Sequence, residues 1–113
     1  MSELKVISDY YDFMLWMIRH TEQFPRHHRY SLGVAIEDRL QTILALLLKA
    51  KYRADKVGYL NDANVELDIL RFQIRLAVDL KVLTVTSQGH GSKLLLEIGA
   101  QIGGWLKSKG GAA

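Results

Sequence analysis

The 113 residues include no cysteine, which excludes disulfide staples, thiolate zinc sites and cysteine nucleophiles together. There is one proline, Pro25, so a single point on the chain is barred from a helix interior. No apolar run reaches the ~18 residues needed to cross a bilayer. The opening Met-Ser-Glu-Leu-Lys places charge where a signal peptide would carry an apolar stretch. These absences lead us to expect a cytoplasmic protein with no membrane partner. The sequence also lacks a Gly-x-Ser-x-Gly elbow, a phosphate-binding glycine loop and a dinucleotide fingerprint. Neither Glu37 nor Glu97 has a His three residues later, as a di-metal helix bundle would require. No enzymatic activity, cofactor or metal is therefore expected. Of the histidines His20, His27 and His28, the last two fall in an expected loop without carboxylate partners. Their useful property is partial protonation, which would add charge to Arg26 and Arg29.

What the chain has is apolar residues at helical spacing. Hydrophobic residues make up 49% and charged residues 24%, enough for one domain over residues 1–113 with a packed core. The spacing predicts a first helix from Ile7 to Phe24, stopped by Pro25, with Ile7, Tyr10 or Tyr11, Met14, and Met17 or Ile18 inward. A short cationic loop, Pro25 to Arg29, follows. A second helix from about Tyr30 to Arg53 carries the stripe Leu32, Ile36, Leu40, Ile43, Leu47 and Ala50. Its segment Ile43 to Leu48 is apolar all round, so Leu44, Leu46 and Leu48 exceed what one small core can bury. A third helix from about Tyr59 to Leu83 has two apolar stripes. One is Leu67, Leu70, Ile74 and Ala77; the other is Ile69, Phe72, Leu76, Leu80 and Leu83. Between them runs a polar strip of Asp68, Arg71, Arg75 and Asp79. Thr84 to Ser92 reads as loop, or as loop and a weak first turn capped by Thr86 or Ser87. A fourth helix then buries Leu95, Ile98, Ile102, Trp105 and Leu106, with Gly99 and Gly103 on one face for close approach. A frayed basic tail, Lys107 to Ala113, ends the chain. No strand-like alternation of useful length appears, so the expected architecture is all-α, an antiparallel up-down four-helix bundle.

The formal charge of +3 is uneven. Residues 1–25 set two cations against four carboxylates, residues 26–59 seven against three, residues 60–89 three against four, and residues 90–113 three against one. A clustered basic excess points to a polyanionic partner. Arg26, Arg29, Lys49, Lys51, Arg53, Lys56 and Lys107 are the candidate phosphate contacts, with Tyr30, Tyr52 and Tyr59 placed to stack on unpaired bases. Lys49, Lys51 and Arg53 equally suit the C-terminal dipole of their helix. On helix three, Arg71 and Arg75 emerge one turn apart and are candidate contacts for nucleic acid; alternatively they pair with Asp68 and Asp79, at about 0.3 to 0.5 kcal/mol each. No helix-turn-helix, zinc-finger or RNA-recognition signature is present, so binding should follow charge and shape.

Several strings resemble a known family: Tyr11-Asp12-Phe13-Met14-Leu15-Trp16, Phe24-Pro25-Arg26 with Leu32-Gly33, Leu70-Arg71-Phe72 with Arg75, and Gly103-Gly104-Trp105-Leu106-Lys107-Ser108. Together, in order over the whole chain, they resemble the four-helix-bundle family of the accessory variability determinant, Avd, of diversity-generating retroelements. The same family includes proteins encoded within intervening sequences of bacterial large-subunit ribosomal RNA genes. The resemblance implies a ring-like homo-oligomer, a pentamer, that binds DNA and RNA without strong sequence preference and engages a reverse transcriptase during mutagenic copying, with Arg71 and Arg75 as contacts for nucleic acid or that polymerase. In such a ring, Leu44, Leu46, Leu48, Ile69, Phe72 and Trp105 are the expected interface. Gly89-His90-Gly91 departs from the pattern by loosening the start of helix four, as does Ala100-Gln101, where an arginine is common in relatives. Two alternatives stand beside this: an intervening-sequence-type protein with no polymerase partner, and a purely structural oligomer.

Overall fold

The computed structural model describes residues 3–110. The helices are α1 (Glu3–Thr21), α2 (Arg26–His28), α3 (Val34–Tyr52), α4 (Lys56–Asp79) and α5 (Val85–Ser108). Residues Arg29–Gly33 wind as a π-helix, with the Val34 N–H reaching the Arg29 carbonyl five residues back. The backbone is right-handed helical at His28, Arg29, Gly33 and Val34, so residues 26–52 form one continuous rod. Four long rods result, and no strand occurs among the described residues. α1 packs on α3, α3 on α4, α4 on α5 and α5 on α1, leaving α1 and α4 at opposite corners. The molecule measures 43 × 23 × 20 Å. No helix among the described residues is long and apolar enough to cross a membrane.

The core takes one stripe from each rod. From α3 it takes Ile36, Leu40, Ile43, Leu47 and Ala50, and from α5 Leu95, Ile98, Ile102, Trp105 and Leu106. α4 contributes Leu60, Ala63, Leu67, Leu70, Ile74 and Ala77. These match the expected stripes. In α1 the buried residues are Val6, Tyr10, Phe13, Met14 and Met17, while Ile7 is half-buried and Tyr11 exposed. The stripe is thus centred about one residue from the expected one. α1 is apolar on neighbouring faces, so spacing alone does not select between them. The Tyr10 hydroxyl settles it by donating to the Leu40 carbonyl at 2.7 Å, and its burial pushes the phenol pKa up.

The boundaries shift for identifiable reasons. α1 stops at Thr21, three residues before the expected end, and Pro25 begins the next helix rather than ending a loop. Its carbonyl accepts the His28 and Arg29 N–H groups, both at 2.9 Å, and proline's missing N–H would be unpaired at a helix start anyway. The expected cationic loop is therefore helical. α4 starts at Lys56, not Tyr59, with the Asp55 carboxylate accepting the Gly58 N–H. It ends at Asp79, where Lys81 adopts φ 63° and the Val82 N–H closes onto the Ala77 carbonyl at 3.0 Å. That is a Schellman turn with lysine where glycine is usual. α5 starts at Val85, capped by Thr84 rather than Thr86 or Ser87, so the expected loop at 85–92 is helix. α5 ends at Ser108; residues 111–113 of the expected tail lie outside the described residues.

Gly91 lies inside α5 at a close approach to α1. A Cβ there would lie 2.9 Å from two carbons of the Trp16 ring, so the glycine admits the indole of α1 against the α5 backbone. Gly99 similarly faces Arg71, at 3.1 Å, whereas a Cβ on Gly103 or Gly89 would meet nothing within 4 Å. Close approach thus uses Gly91 and Gly99, not the expected Gly99 and Gly103. Gly89→Ala is expected to raise stability by up to about 1 kcal/mol through helix propensity. Gly91→Ala gains the same propensity but overpacks by about 1 to 3 kcal/mol, so a net loss is expected. Chemical denaturation separates the two; equal stabilities would mean that Trp16 moves aside at no cost. Lys81→Gly should stabilise by roughly 0.5 to 1 kcal/mol, since it relieves a left-handed strain of about 1 to 2 kcal/mol at a smaller cost in chain entropy. A melting temperature unchanged or lowered would count against it.

Candidate nucleic-acid interface

The basic residues of the second quarter do not form one patch. Arg29 and Lys49 lie 20 residues apart on the 26–52 rod, about 30 Å at 1.5 Å per residue. Each end of the rod carries its own group. At one end Arg26 is exposed without a side-chain partner among the described residues, and Arg29 donates to the Glu22 carbonyl at 2.9 Å. The Arg29 guanidinium also lies 5.7 Å from the ring centre of Tyr30, which is 70% exposed. The other end carries Lys49, Lys51, Arg53 and, from the end of α5, Lys107. Lys49, Arg53 and Lys107 are exposed and make no side-chain hydrogen bond or ion pair among the described residues. The Lys51 ammonium sits 4.8 Å from the ring centre of Tyr52, which is 73% exposed. Each end thus pairs free cations with an open aromatic face.

Other candidates are committed within the fold. The Lys56 ammonium donates to the carbonyls of Ala50 at 2.8 Å and Lys51 at 3.0 Å, closing the end of α3. Tyr59 is half-buried against the core and offers no open stacking face. Trp105 is 4% exposed, which corrects its expected place at an oligomer interface: it fills the protomer's own core. Leu44 and Leu46 are half-buried against the core, and Leu48 is exposed.

Arg71 and Arg75 part company. Arg71 pairs with Asp68 at 2.5 Å and donates across to the Leu95 carbonyl of α5 at 3.3 Å, so it staples α4 to α5. Arg75 makes no such bond among the described residues and stands exposed beside Phe72. The second apolar stripe of α4 lies outward: Ile69, Phe72, Leu76 and Leu80 are all exposed, Phe72 by 68%, whereas Leu83 turns into the core. Val65 extends the exposed row at the same spacing.

A family model described as bAvd-like matches residues 4–109. The chain belongs to the bAvd-like family. No curated protein and no solved structure matches it. In this bAvd-like bundle the family strings have physical roles. Trp16 of the first string lies on Gly91, Pro25 of the second starts a helix, and the Leu70-Arg71-Phe72 string splits between core, staple and outer face.

Sequence reasoning missed two features. Arg39, which enters the charge count of residues 26–59 as one cation among seven, joins α3 to α4 through Glu66 at 2.5 Å and Gln73 at 3.0 Å; its partners are distant in sequence and leave no local signal. The second is a groove of about 370 Å³ between α1 and α5. Phe13, Trp16, Leu94 and Ile98 form its apolar lining, Asp9, Asp12 and Glu97 its acidic side, and Lys5 and His90 complete it. Lys5 and the Gln101 amide, at 2.6 and 2.8 Å, hold the Asp9 carboxyl below the usual carboxylate range. That contribution is full at neutral pH and is lost only as pH falls through the lowered value. No group of three or more potential metal ligands occurs among the described residues.

The two arginines are expected to differ in a stability assay. Arg71→Ala removes the bond to α5 and should cost about 1 kcal/mol, while Arg75→Ala should stay within about 0.5 kcal/mol of the parent. Equal urea midpoints would show that the staple contributes nothing.

Proposed function

We propose that this protein is a non-enzymatic, self-associating accessory factor that binds DNA and RNA through backbone charge. It would act beside the reverse transcriptase of a diversity-generating retroelement during mutagenic copying. The observation that carries the binding reading is the end of the bundle where Lys49 and Arg53 stand exposed and unpaired beside the Lys51–Tyr52 pair, with Lys107 exposed at the same end on α5. Cations without carboxylate partners are free to displace counterions from phosphates, and an open tyrosine face suits an unpaired base. Family membership supports the polymerase association. The exposed α4 row from Val65 to Leu80 supports self-association, because a contiguous apolar face of this length is uncommon on a soluble monomer. It also favours an assembly over an isolated intervening-sequence-type bundle.

The test is anisotropy of a labelled single-stranded oligonucleotide across a salt series. A Lys49→Ala/Arg53→Ala/Lys107→Ala variant should bind more weakly by a similar factor on unrelated sequences. Its log–log salt slope should flatten by roughly 0.7 to 0.9 for each phosphate that is no longer neutralised. Stability should change by no more than about 0.5 kcal/mol per site, these being exposed positions. An unchanged slope would remove this end of the molecule from the interface.

A further inference from the structure

A second cavity, of about 300 Å³, lies in the seam between α4 and α5, lined by Arg71, Phe72 and Arg75 from α4 and by Gln88 and Ser92 from α5. Phe72 is 68% exposed, and the side chains of Arg75, Gln88 and Ser92 make no hydrogen bond or ion pair among the described residues. One flat ring and three polar groups without partners thus open onto a single space. Arg71 is already committed: Asp68 and the Leu95 carbonyl hold it, so it forms a fixed wall between the two helices. Net charge does not account for the site. Asp68 offsets Arg71, and Asp79 stands one turn beyond Arg75. A site for phosphate alone would carry a surplus of cations, whereas this one offers a stacking surface, an amide, a hydroxyl and one guanidinium.

We propose that the α4–α5 cavity holds one unpaired nucleotide of a single strand. The base stacks on Phe72, the Gln88 amide and the Ser92 hydroxyl hydrogen-bond its edge, and Arg75 takes its phosphate. The proposal rests on the nucleic-acid reading of the basic ends and adds a property that they lack, a preference between bases. An amide presents a donor and an acceptor side by side, and the bases differ in the order in which their edges present the two. Gln88 therefore discriminates where a lysine that meets only phosphate does not. Gln88 and Ser92 lie four residues apart on α5, and Phe72 and Arg75 three apart on α4, so each pair projects from one side of its helix. The Arg71 bond to the Leu95 carbonyl fixes the two pairs relative to each other. Phe72 is the one lining residue that also belongs to the outward row from Val65 to Leu80, so Gln88 and Ser92 can be changed without touching that row.

Anisotropy titrations with oligo(dA), oligo(dC) and oligo(dT) of equal length, and with an abasic strand of that length, test this. Wild type should favour one of the three bases on the order of 10-fold, as a well-placed amide contact allows. Gln88→Leu/Ser92→Ala should remove the preference. Phe72→Ala should weaken the base-bearing strands by roughly 10-fold, the loss of one stacked base, and leave the abasic strand unchanged. Lys49→Ala/Arg53→Ala/Lys107→Ala should weaken all four strands and keep the preference. Circular dichroism and light scattering check that helical content and assembly are retained; where Phe72→Ala changes assembly, the Gln88→Leu/Ser92→Ala result decides alone. A wild type without preference, or a preference that survives Gln88→Leu/Ser92→Ala, would overturn the cavity and leave the basic ends standing. Equal weakening of the abasic strand by Phe72→Ala would overturn the stacking. A free mononucleotide that binds more tightly than the same base within a strand would overturn the assignment to nucleic acid. No binding of any strand by wild type would overturn both the cavity and the ends.

Discussion

A bundle of four rods in a cross-section of 23 × 20 Å buries one stripe per rod, and this limit governs the molecule. The stripe of α4 that includes Leu67, Leu70, Ile74 and Ala77 fills the core; the row Val65, Ile69, Phe72, Leu76 and Leu80 remains outside. Each large apolar side chain moved from water to a packed site is worth about 1.5 to 3 kcal/mol. The row is about half exposed, so covering it is worth roughly 4 to 8 kcal/mol in all. A second surface that covers it gains that energy without any change within the bundle. The same limit explains Leu44 and Leu46, which flank the core stripe of α3 and reach it only in part.

Charge divides the surface along different lines. Of the cations without a side-chain partner among the described residues, Arg26, Lys49, Arg53 and Lys107 sit at the ends of the rods, whereas the carboxylates Asp12 and Glu97 on the α1–α5 side lie among the cations Lys5 and Lys93. Screening at physiological salt reaches about 8 Å, so ends and side act as separate fields on a molecule 43 Å long. A polyanion is drawn to the ends, where cations stand without carboxylate partners. Self-association would bring the basic ends of several copies together, and several weak phosphate sites would then act at once.

The stripes of α3, α4 and α5 were legible because each has an apolar residue every three or four positions and polar residues between. The α1 stripe was not, because Tyr10 and Tyr11, or Met17 and Ile18, serve equally well by spacing alone. The choice lies in a hydrogen bond to Leu40. Glycine and proline misled for one reason: their local meaning depends on a distant partner. Gly91 looks like a breaker until Trp16 is laid against it, and Pro25 looks like a stop until the turn before it brings the chain around. Lys81 gave no sign of a left-handed turn, since nothing in a lysine marks one. In the candidate site, the exposed state of Ile69 and Phe72 followed from the double stripe. The separation of Arg71 from Arg75 did not, because a carbonyl on α5 decides it.

Each seam of the bundle carries a polar cross-link. Tyr10 to the Leu40 carbonyl and Thr21 to Glu37 join α1 to α3; Arg39 to Glu66 and Gln73 joins α3 to α4. Arg71 to the Leu95 carbonyl joins α4 to α5, and Gln101 to Asp9 with His20 to Ser87 joins α5 to α1. Apolar packing between leucine-rich helices is non-directional and tolerates sliding or repacking, whereas a donor and acceptor about 3 Å apart do not. These bonds add modestly to stability, about 1 kcal/mol each; their larger effect is on register. Slipping α5 by one turn would leave the Asp9 and Arg71 links unmade on opposite sides together and would drive the Trp16 ring from Gly91 onto a residue with a side chain. The groove rim, set by α1 and α5, and the outer face of α4 are thereby held in one fixed relation.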